Sequence, residues 1–255
     1  MFQQAIVRTP AASLIHGLTS ATDLGQPNYD KALAQHQNYI DALISCGLEV
    51  TVLPAVNEFP DSCFVEDPVL LTEKIAILTR PGAPSRQGEV VLIEPAIQAL
   101  YKERIERIKF PGTVEAGDVL RINNHFYIGL SQRTNAEGAK QLSTILNEQG
   151  YSSSVIELKQ FLHLKTGVSY LGEEHLLVNG ELIDHPEFQQ FKQTIIADSE
   201  AYAANCIRVN DKVIMPQDFD YSLKAVQKLG FNVITVDMSE FRKIDGGLSC
   251  LSLRF

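Results

Sequence analysis

Four stretches of the chain alternate two short apolar runs with a polar turn of two to four residues, a pattern that predicts β-hairpins. The apolar runs are rich in the β-branched, leucine and aromatic side chains that fit strands, whereas the turns carry Asn, Asp, Glu and Lys. The four predicted hairpins are VLLTEKIAIL (69 to 78), VLRINNHFYIGL (119 to 130), SYLGEEHLLV (169 to 178) and CIRVNDKVIMP (206 to 216).

Amphipathic helices that end at a glycine and lead into a strand accompany these hairpins. Gly47, Gly150 and Gly230 follow such patterns and are predicted to close their helices in the left-handed conformation. The helix before Gly150 is predicted to begin at a capping box of Thr134 and Glu137, with Ala139, Leu142, Ile145 and Leu146 on its apolar face.

The hairpin pattern is an internal repeat. Asp61, Glu115, His163 and Asn205 lie just ahead of the hairpins and Cys250 opens the last strand, so that markers recur roughly every 45 residues. The fifth unit lacks a hairpin, and the N-terminal AIVRTP is predicted to pair with the last strand and complete it. We therefore predict one α/β domain over residues 1 to 255, a five-unit propeller in which equivalent positions face a common axis.

Composition narrows the class of protein. Of 255 residues, 45% are hydrophobic and 21% charged, and no apolar stretch approaches the length of a membrane span. The first ten residues lack the basic and apolar regions of a secretion signal, which favours a cytoplasmic protein with reduced thiols. A net charge of -9 disfavours nucleic-acid binding and suits a small cationic substrate.

Acidic side chains cluster around an aromatic one near the first hairpin. Asp61, Glu66 and Asp67 bracket Phe64, and Glu115 stands among small residues ahead of the second hairpin. Carboxylates match the paired N–H groups of a guanidinium, so these residues predict a receptor for a planar cation. Most such acids are ordinary turn or edge charges, and that alternative stays open for each one taken singly.

Basic and nucleophilic residues add to this pattern. Arg86 and Arg133 follow successive hairpins at equivalent places, which predicts a clamp for a substrate carboxylate, although most arginines are solvated surface charges. His163 and Cys250 supply an imidazole and a thiol, and both also fit structural roles, as a satisfied core histidine and a buried thiol in a terminal strand.

Several motifs in order, FPDSCFVEDPVLL, LTRPGAPSR, GTVEAGD, HLKTG and KIDGGLSCLSLRF, resemble the dimethylarginine dimethylaminohydrolase family over essentially the whole chain. That family is similar to arginine deiminases and amidinotransferases, the pentein superfamily. The resemblance implies a five-fold pseudosymmetric α/β propeller and hydrolysis of asymmetric dimethylarginine or monomethylarginine to citrulline, without a metal or organic cofactor.

The resemblance also implies roles for individual residues. Cys250 would be the nucleophile, His163 the general acid and base, and Glu115 a third catalytic residue that grips the guanidinium with Asp67. The remaining implied substrate-binding residues are Leu18, Asp61, Phe64, Glu66, Arg86, Arg133, Ile244 and Ser249, with Leu18 on a lid and Ile244 acting through its backbone.

Three alternative functions stay open at this point. An arginine or agmatine deiminase would use the same covalent route, and an amidinotransferase would pass the amidino group to an amine. A non-catalytic propeller that binds a partner is the alternative outside enzymes. A homodimer is compatible with the sequence but rests on no residue that we can name.

Overall fold

The computed structural model describes residues 1–255, which form five three-stranded sheets joined by helices and turns. All five sheets are built alike: two antiparallel strands are followed by a third strand that runs parallel to the second. A helix separates the second and third strands in four sheets, and short 3-10 turns do so in the fifth. The predicted repeat of hairpin, helix and strand is thus confirmed.

The strands have the following bounds: β1 (Gln4–Arg8), β2 (Glu49–Leu53), β3 (Val69–Leu71), β4 (Ala76–Leu78), β5 (Ile105–Arg107), β6 (Val119–Ile122), β7 (His125–Leu130), β8 (Ser152–Glu157), β9 (Val168–Gly172), β10 (His175–Val178), β11 (Lys192–Ile195), β12 (Ile207–Val209), β13 (Lys212–Pro216), β14 (Asn232–Val236) and β15 (Leu253–Arg254). The α-helices are α1 (Tyr29–Ser45), α2 (Glu89–Tyr101), α3 (Ala136–Glu148), α4 (Leu164–Gly167), α5 (Asp220–Lys228) and α6 (Ser239–Arg242). None of them combines the length and the apolar character that a membrane crossing requires.

The chain divides into two compact units, one of residues 1–64 with 167–255 and one of residues 65–166. The first unit holds the sheets β15-β1-β2, β11-β10-β9 and β12-β13-β14. Its main core packs α1 against buried side chains that include Phe64, Phe241, Leu248 and Leu251. The second unit holds β3-β4-β5 and β6-β7-β8, and its core includes Ile77, Phe126, Ile128 and Leu142.

The first and last strands pair, as the sequence predicts. Ala5 lies opposite Arg254 and Ile6 opposite Leu253 in an antiparallel ladder, and the N–H groups of Gln3 and Gln4 donate to the carbonyl of Phe255. The ladder occupies backbone groups that a free terminus would leave to water, so the C-terminal segment is held in register.

The helix ends show one success and one error of sequence reasoning. Gly47, Gly150 and Gly230 adopt φ values of +87°, +78° and +89°, the left-handed conformation predicted for them. The capping box is wrong, because α3 is capped by the side chain of Asn135, which accepts from the N–H of Gly138. The hydroxyl of Thr134 instead accepts from the N–H of Glu115.

One face of α1 is buried in the core of the first unit, and Tyr39 and His36 lie on that face. Tyr39 is fully buried and donates its hydroxyl to the carbonyl of Leu248, 2.9 Å away, near the end of the chain. His36 is also buried, packs near the ring of Phe241, and leaves its Nε2 atom without a hydrogen-bond partner. Burial therefore lowers the pKa of His36 to about 4.

The depressed pKa of His36 predicts a loss of stability in acid. An unfolded histidine binds its proton near pH 6.5 and the folded one only near 4, so the free energy of unfolding is intact above 6.5 and falls as the pH drops toward 4. The loss from this residue is about 3 kcal/mol at full protonation. Denaturant unfolding of the wild type and of His36→Leu at several pH values should show a shallower decline in the variant. Parallel declines in the two proteins would contradict this account.

Candidate active site

Glu115 is the centre of a cluster of charged side chains in the second unit. It precedes a 3-10 turn (Ala116–Asp118) that sends the chain into β6, and it has no exposed surface. Its Oε2 lies 2.8 Å from Nε2 of His163, and its Oε1 accepts from the N–H of Ala83 at 3.1 Å. Together with the bond from its own N–H to Thr134, these contacts fix both the backbone and the carboxylate of Glu115.

His163 is held in its charged form by this cluster. Burial by itself would lower the pKa of His163, but the negative charges of Asp118 and Asp67 and the hydrogen bond to Glu115 outweigh it and raise the pKa to about 9. An imidazolium donates from both ring nitrogens, so one N–H satisfies Glu115 while the ring retains a second acidic proton. The geometry therefore gives a buried proton donor at neutral pH.

Asp67 also belongs to the cluster, and the backbone of Gly117 lies close to its side chain. The N–H of Gly117 donates to Asp67 Oδ1 at 3.1 Å, and a Cβ on Gly117 would lie only 2.9 Å from that oxygen and from the His163 ring. Burial would raise the pKa of Asp67, but the charges of Arg86 and His163 hold it below its usual range. Glycine at position 117 is thus a steric requirement of the site.

Arg86 is enclosed by carboxylates. Its Nη1 lies 2.5 Å from Asp67 Oδ2, and its Nη2 lies 2.8 Å from Glu89 Oε2, three residues further along the chain. These contacts raise the pKa of Arg86 well above normal despite burial. Asp67 therefore does bind a guanidinium, and in this structure the guanidinium belongs to Arg86.

Arg133 has a looser environment than Arg86. Its Nη1 lies 3.5 Å from Glu115 Oε1, and its side chain keeps 19% of its surface exposed. The backbone of Arg133 also packs tightly on the preceding loop, because a Cβ on Gly82 would lie 2.2 Å from its carbonyl oxygen. The LTRPGAPSR loop and the start of α3 are thereby held together.

Two further acids of the second unit support the segment that carries His163. Asp118 is buried, which raises its pKa, and it accepts from the N–H of Leu164 at 3.0 Å. Glu66 pairs with Lys165, whose Nζ lies 2.5 Å from its Oε1. Both contacts fall on residues immediately after His163, so they fix the position of the HLKTG motif.

The first unit carries the other predicted residues. Asp61 is buried and accepts from the N–H of Leu18 at 3.0 Å, which ties the 37% exposed Leu18 to the FPDSCF motif. Phe64 packs edge-on against Phe241 at 6.3 Å between ring centroids. Ile244 and Ser249 are buried in the segment that leads to Cys250.

Cys250 lies in a 3-10 turn (Ser249–Leu251) rather than in the last strand, where the sequence placed it. The turn precedes β15, and the hydroxyl of Tyr202 donates to the carbonyl of Gly246 at 2.6 Å just before it. Cys250 is partly exposed, whereas Cys46, Cys63 and Cys206 are buried. Burial raises the pKa of Cys46, and raises that of Cys206 to about 12, so these two thiols resist ionisation.

Asp67, Glu115 and His163 also have ligand atoms within 4.8 Å of one another, a spacing compatible with a metal ion. Those atoms are engaged otherwise, because Asp67 is paired with Arg86 and Glu115 with His163. A metal ion would have to displace the proton of His163 as well as these partners, since metals bind neutral imidazole.

Sequence reasoning missed the residues that support this site. Glu89 was detectable from its spacing of three residues from Arg86 at a helix start, and Lys165 lies inside the HLKTG motif itself. Asp118 accepts from Leu164, 46 residues further along the chain, and nothing in the spacing indicates that contact. Asn205 was recognised as a repeat marker, but its contact with Ser249 depends on a tertiary approach that no spacing reveals.

Comparison with known proteins identifies relatives of this chain. The N,N dimethylarginine dimethylhydrolase, eukaryotic, family model matches residues 20–251. The N(G),N(G)-dimethylarginine dimethylaminohydrolase of Pseudomonas aeruginosa is 55% identical over 255 residues, with 100% of both chains covered. The enzyme of that name from Streptomyces coelicolor is 31% identical over 252 residues, with 99% of this chain and 96% of the relative covered.

Solved structures agree with these matches. A cysteine-to-serine variant of the Pseudomonas aeruginosa enzyme complexed with citrulline has a TM-score of 0.99 at 55% identity, over 100% of both chains. A dimethylarginine dimethylaminohydrolase with histidine replaced by glycine, as an adduct with S-methyl-L-thiocitrulline, has a TM-score of 0.98 at 55% identity and the same coverage. The N-terminal domain of ArgZ, an arginine dihydrolase of cyanobacteria, shares the fold with a TM-score of 0.89 at 19% identity.

The five alike sheets and these likenesses define the class of protein as a pentein, the five-fold pseudosymmetric α/β propeller predicted from the sequence. The chain belongs to the dimethylarginine dimethylaminohydrolase family.

The contact between Glu115 and His163 predicts how the imidazole titrates. Glu115→Gln removes a negative charge and a charge-assisted hydrogen bond, so the pKa of His163 should fall from about 9 by at least about one unit. NMR titration of the histidine ring signals measures this shift directly. Glu106→Gln, which alters an exposed acid on β5, is the matched control and should leave the titration unchanged. An unaltered His163 titration in Glu115→Gln would refute the assignment.

Proposed function

We propose that this chain hydrolyses Nω-methylated arginines to L-citrulline and releases dimethylamine or methylamine. The observation that carries the proposal is the 55% identity, over the full length of both chains, to the Pseudomonas aeruginosa dimethylarginine dimethylaminohydrolase. A structure of that enzyme, as a cysteine-to-serine variant, holds citrulline. The cluster of acids around a protonated His163 supports the same chemistry, because it favours a cationic substrate that must receive a proton.

Cys250 and His163 are proposed to carry the reaction. In the two related structures, the replaced cysteine and the replaced histidine are separated in numbering by the same interval as Cys250 and His163 here. The alternatives of a structural thiol and a structural histidine do not account for that correspondence.

In the first half of the proposed reaction, the thiolate of Cys250 attacks the central guanidinium carbon. A C–S bond forms, and the electron pair of the C=N bond moves to nitrogen. The imidazolium of His163 then gives its proton to the methylated nitrogen, the C–N bond breaks, and the amine leaves. An S-alkylthiouronium remains on Cys250.

In the second half, neutral His163 takes a proton from water while the water oxygen attacks the same carbon. The C–S bond breaks, its electron pair returns to sulphur as the thiolate, the remaining hydroxyl proton passes to solvent as the C=O bond forms, and citrulline is released. A pKa of about 9 in the free protein suits the first role, and transfer of that proton to the leaving amine gives the neutral ring that the second role requires.

The acids are proposed to hold the substrate. Glu115 and Asp67 bind the guanidinium N–H groups, and Asp61, Glu66 and Phe64 shape and charge the pocket. Arg133, which is partly exposed, is suited to a substrate carboxylate. Arg86 can join it only by exchanging one of its present partners, Asp67 or Glu89, for the substrate.

The remaining features stay predictions. Leu18 would act as a lid, and Ile244 would contact the amino-acid end of the substrate through its backbone, next to Ser249. The single catalytic domain, the cytoplasmic location, the lack of a nucleic-acid partner and a homodimer likewise await direct tests.

Substrate choice tests the function. Citrulline release should be fast with asymmetric dimethylarginine and monomethylarginine, and at least about tenfold slower in kcat/KM with arginine and with agmatine, which lacks the carboxylate. A colorimetric citrulline assay across the four compounds measures this directly. A preference for arginine would identify a deiminase, and release from none of them would favour a binding protein.

Cys250→Ser provides the control for this assay, because it removes the nucleophile with little change in volume. The variant should retain its thermal unfolding midpoint and lose citrulline production, whereas Cys46→Ala, at the buried end of α1, should keep its activity.

Replacement of the histidine separates attack from proton transfer. His163→Gly should keep Cys250 open to alkylation but lose at least about 100-fold in kcat, because no group then protonates the leaving amine. Mass spectrometry of the alkylated protein and steady-state kinetics measure the two effects. Turnover at the wild-type rate would show that another group handles the protons.

A further inference from the structure

The side chain of Asn205 makes two hydrogen bonds to the residue before the proposed nucleophile. Its Oδ1 accepts from the backbone N–H of Ser249 at 3.1 Å, and its Nδ2 donates to Ser249 Oγ, also at 3.1 Å. Both residues are buried. Ser249 Oγ in turn lies 4.0 Å from the sulphur of Cys250.

The chemistry of these groups fixes the direction of each bond. A backbone N–H can only donate, so the amide atom that faces it must be the oxygen of Asn205. The NH₂ group of Asn205 therefore faces Ser249 Oγ, and the serine oxygen must accept. The hydroxyl proton of Ser249 is then available for another acceptor, and Cys250 Sγ is the neighbour within hydrogen-bonding range.

We propose that Asn205 is a positioning residue that sets the polarity of the Ser249 hydroxyl, so that this hydroxyl donates a hydrogen bond to the thiolate of Cys250. The inference rests on the proposed role of Cys250 as nucleophile. It gives Ser249 a different task from binding substrate. No atom is transferred: the hydroxyl stabilises the sulphur anion before attack and again when the thiolate leaves.

The backbone of the turn is built around the same contact. A Cβ on Gly247 would lie 2.6 Å from the Asn205 amide, so only glycine allows this approach. The N–H of Cys250 donates to the carbonyl of Gly247 at 3.2 Å, which couples the position of the thiol to the residue that Asn205 touches. Tyr39 and Tyr202 hold the neighbouring carbonyls of Leu248 and Gly246. Asn205 differs from these tyrosines because it also binds a side chain next to the sulphur.

A charged acceptor gains more from such a bond than a neutral thiol does, so its loss should make Cys250 ionise at higher pH. We would measure the rate of iodoacetamide alkylation at Cys250 against pH, without substrate, by peptide mass spectrometry. In Ser249→Ala and in Asn205→Ala the midpoint should move upward by about half a pH unit or more. In the double variant the midpoint should move no further than in Asn205→Ala, because both substitutions remove the same hydrogen bond to the sulphur of Cys250.

Steady-state kinetics separate this role from substrate binding. Ser249→Ala should lower kcat by about tenfold with little change in KM, and Ser249→Thr, which keeps the hydroxyl, should recover most of kcat. Asn179→Ala is the matched control. Asn179 is an equally buried asparagine that donates to the carbonyl of Ile196 and to Asp198, and its loss should lower stability without moving the alkylation midpoint.

An unchanged alkylation midpoint in folded Ser249→Ala, or a rise in KM with constant kcat, would overturn the proposal. Because alkylation is followed at the sulphur itself, the result does not depend on turnover. Failure of the proposed function would appear separately, as no citrulline release by the wild type, and failure of the assignment of Cys250 as citrulline production by Cys250→Ser.

Discussion

The structure of the site depends on the compensation of buried charge. Asp67, Glu115 and Asp118 have almost no exposed surface, and ionised carboxylates are costly in such a place unless cations or N–H donors meet them. Arg86, protonated His163 and backbone N–H groups provide that compensation. Removal of any one partner leaves an uncompensated charge, so the conformations of LTRPGAPSR, GTVEAGD and HLKTG are mutually dependent. The raised pKa of His163 is a consequence of the same arrangement.

A second constraint acts on the thiol. Cys250 lies five residues before Phe255, and the pairing of β15 with β1 fixes the segment that follows it. Tyr39, Tyr202 and Asn205 then bind three sites on the preceding residues, so side chains of two separate segments help to determine where the sulphur lies. The terminal segment therefore forms a structural strand and also carries the proposed nucleophile, so the two roles that the sequence left open for Cys250 are compatible.

Sequence patterns predict those features of the structure that depend on residues close together in the chain or on the internal repeat. Alternating apolar residues identified the hairpins, and glycines identified the helix ends, because both features depend on residues close together in the chain. The internal repeat identified the pairing of the two terminal strands. The prediction of Thr134 as the helix cap was wrong because its hydroxyl accepts from the N–H of Glu115, a residue distant in sequence. The adjacent Asn135 caps the helix instead, and residue spacing alone does not distinguish these two candidates. The contact of Arg86 with Asp67 and the bond from Asn205 to Ser249 join residues that are distant in sequence. Motif recognition therefore identified most of the functional groups but not all of the residues that position them.

The central claim is that Cys250 forms a covalent bond to the guanidinium carbon of a methylated arginine. Rapid acid quenching during turnover of asymmetric dimethylarginine, followed by peptide mass spectrometry, tests it most directly. We expect a transient adduct with the mass of an S-alkylthiouronium on the peptide that contains Cys250, and its disappearance when the substrate is exhausted. Turnover without any adduct, or an adduct confined to Cys46, Cys63 or Cys206, would contradict the account.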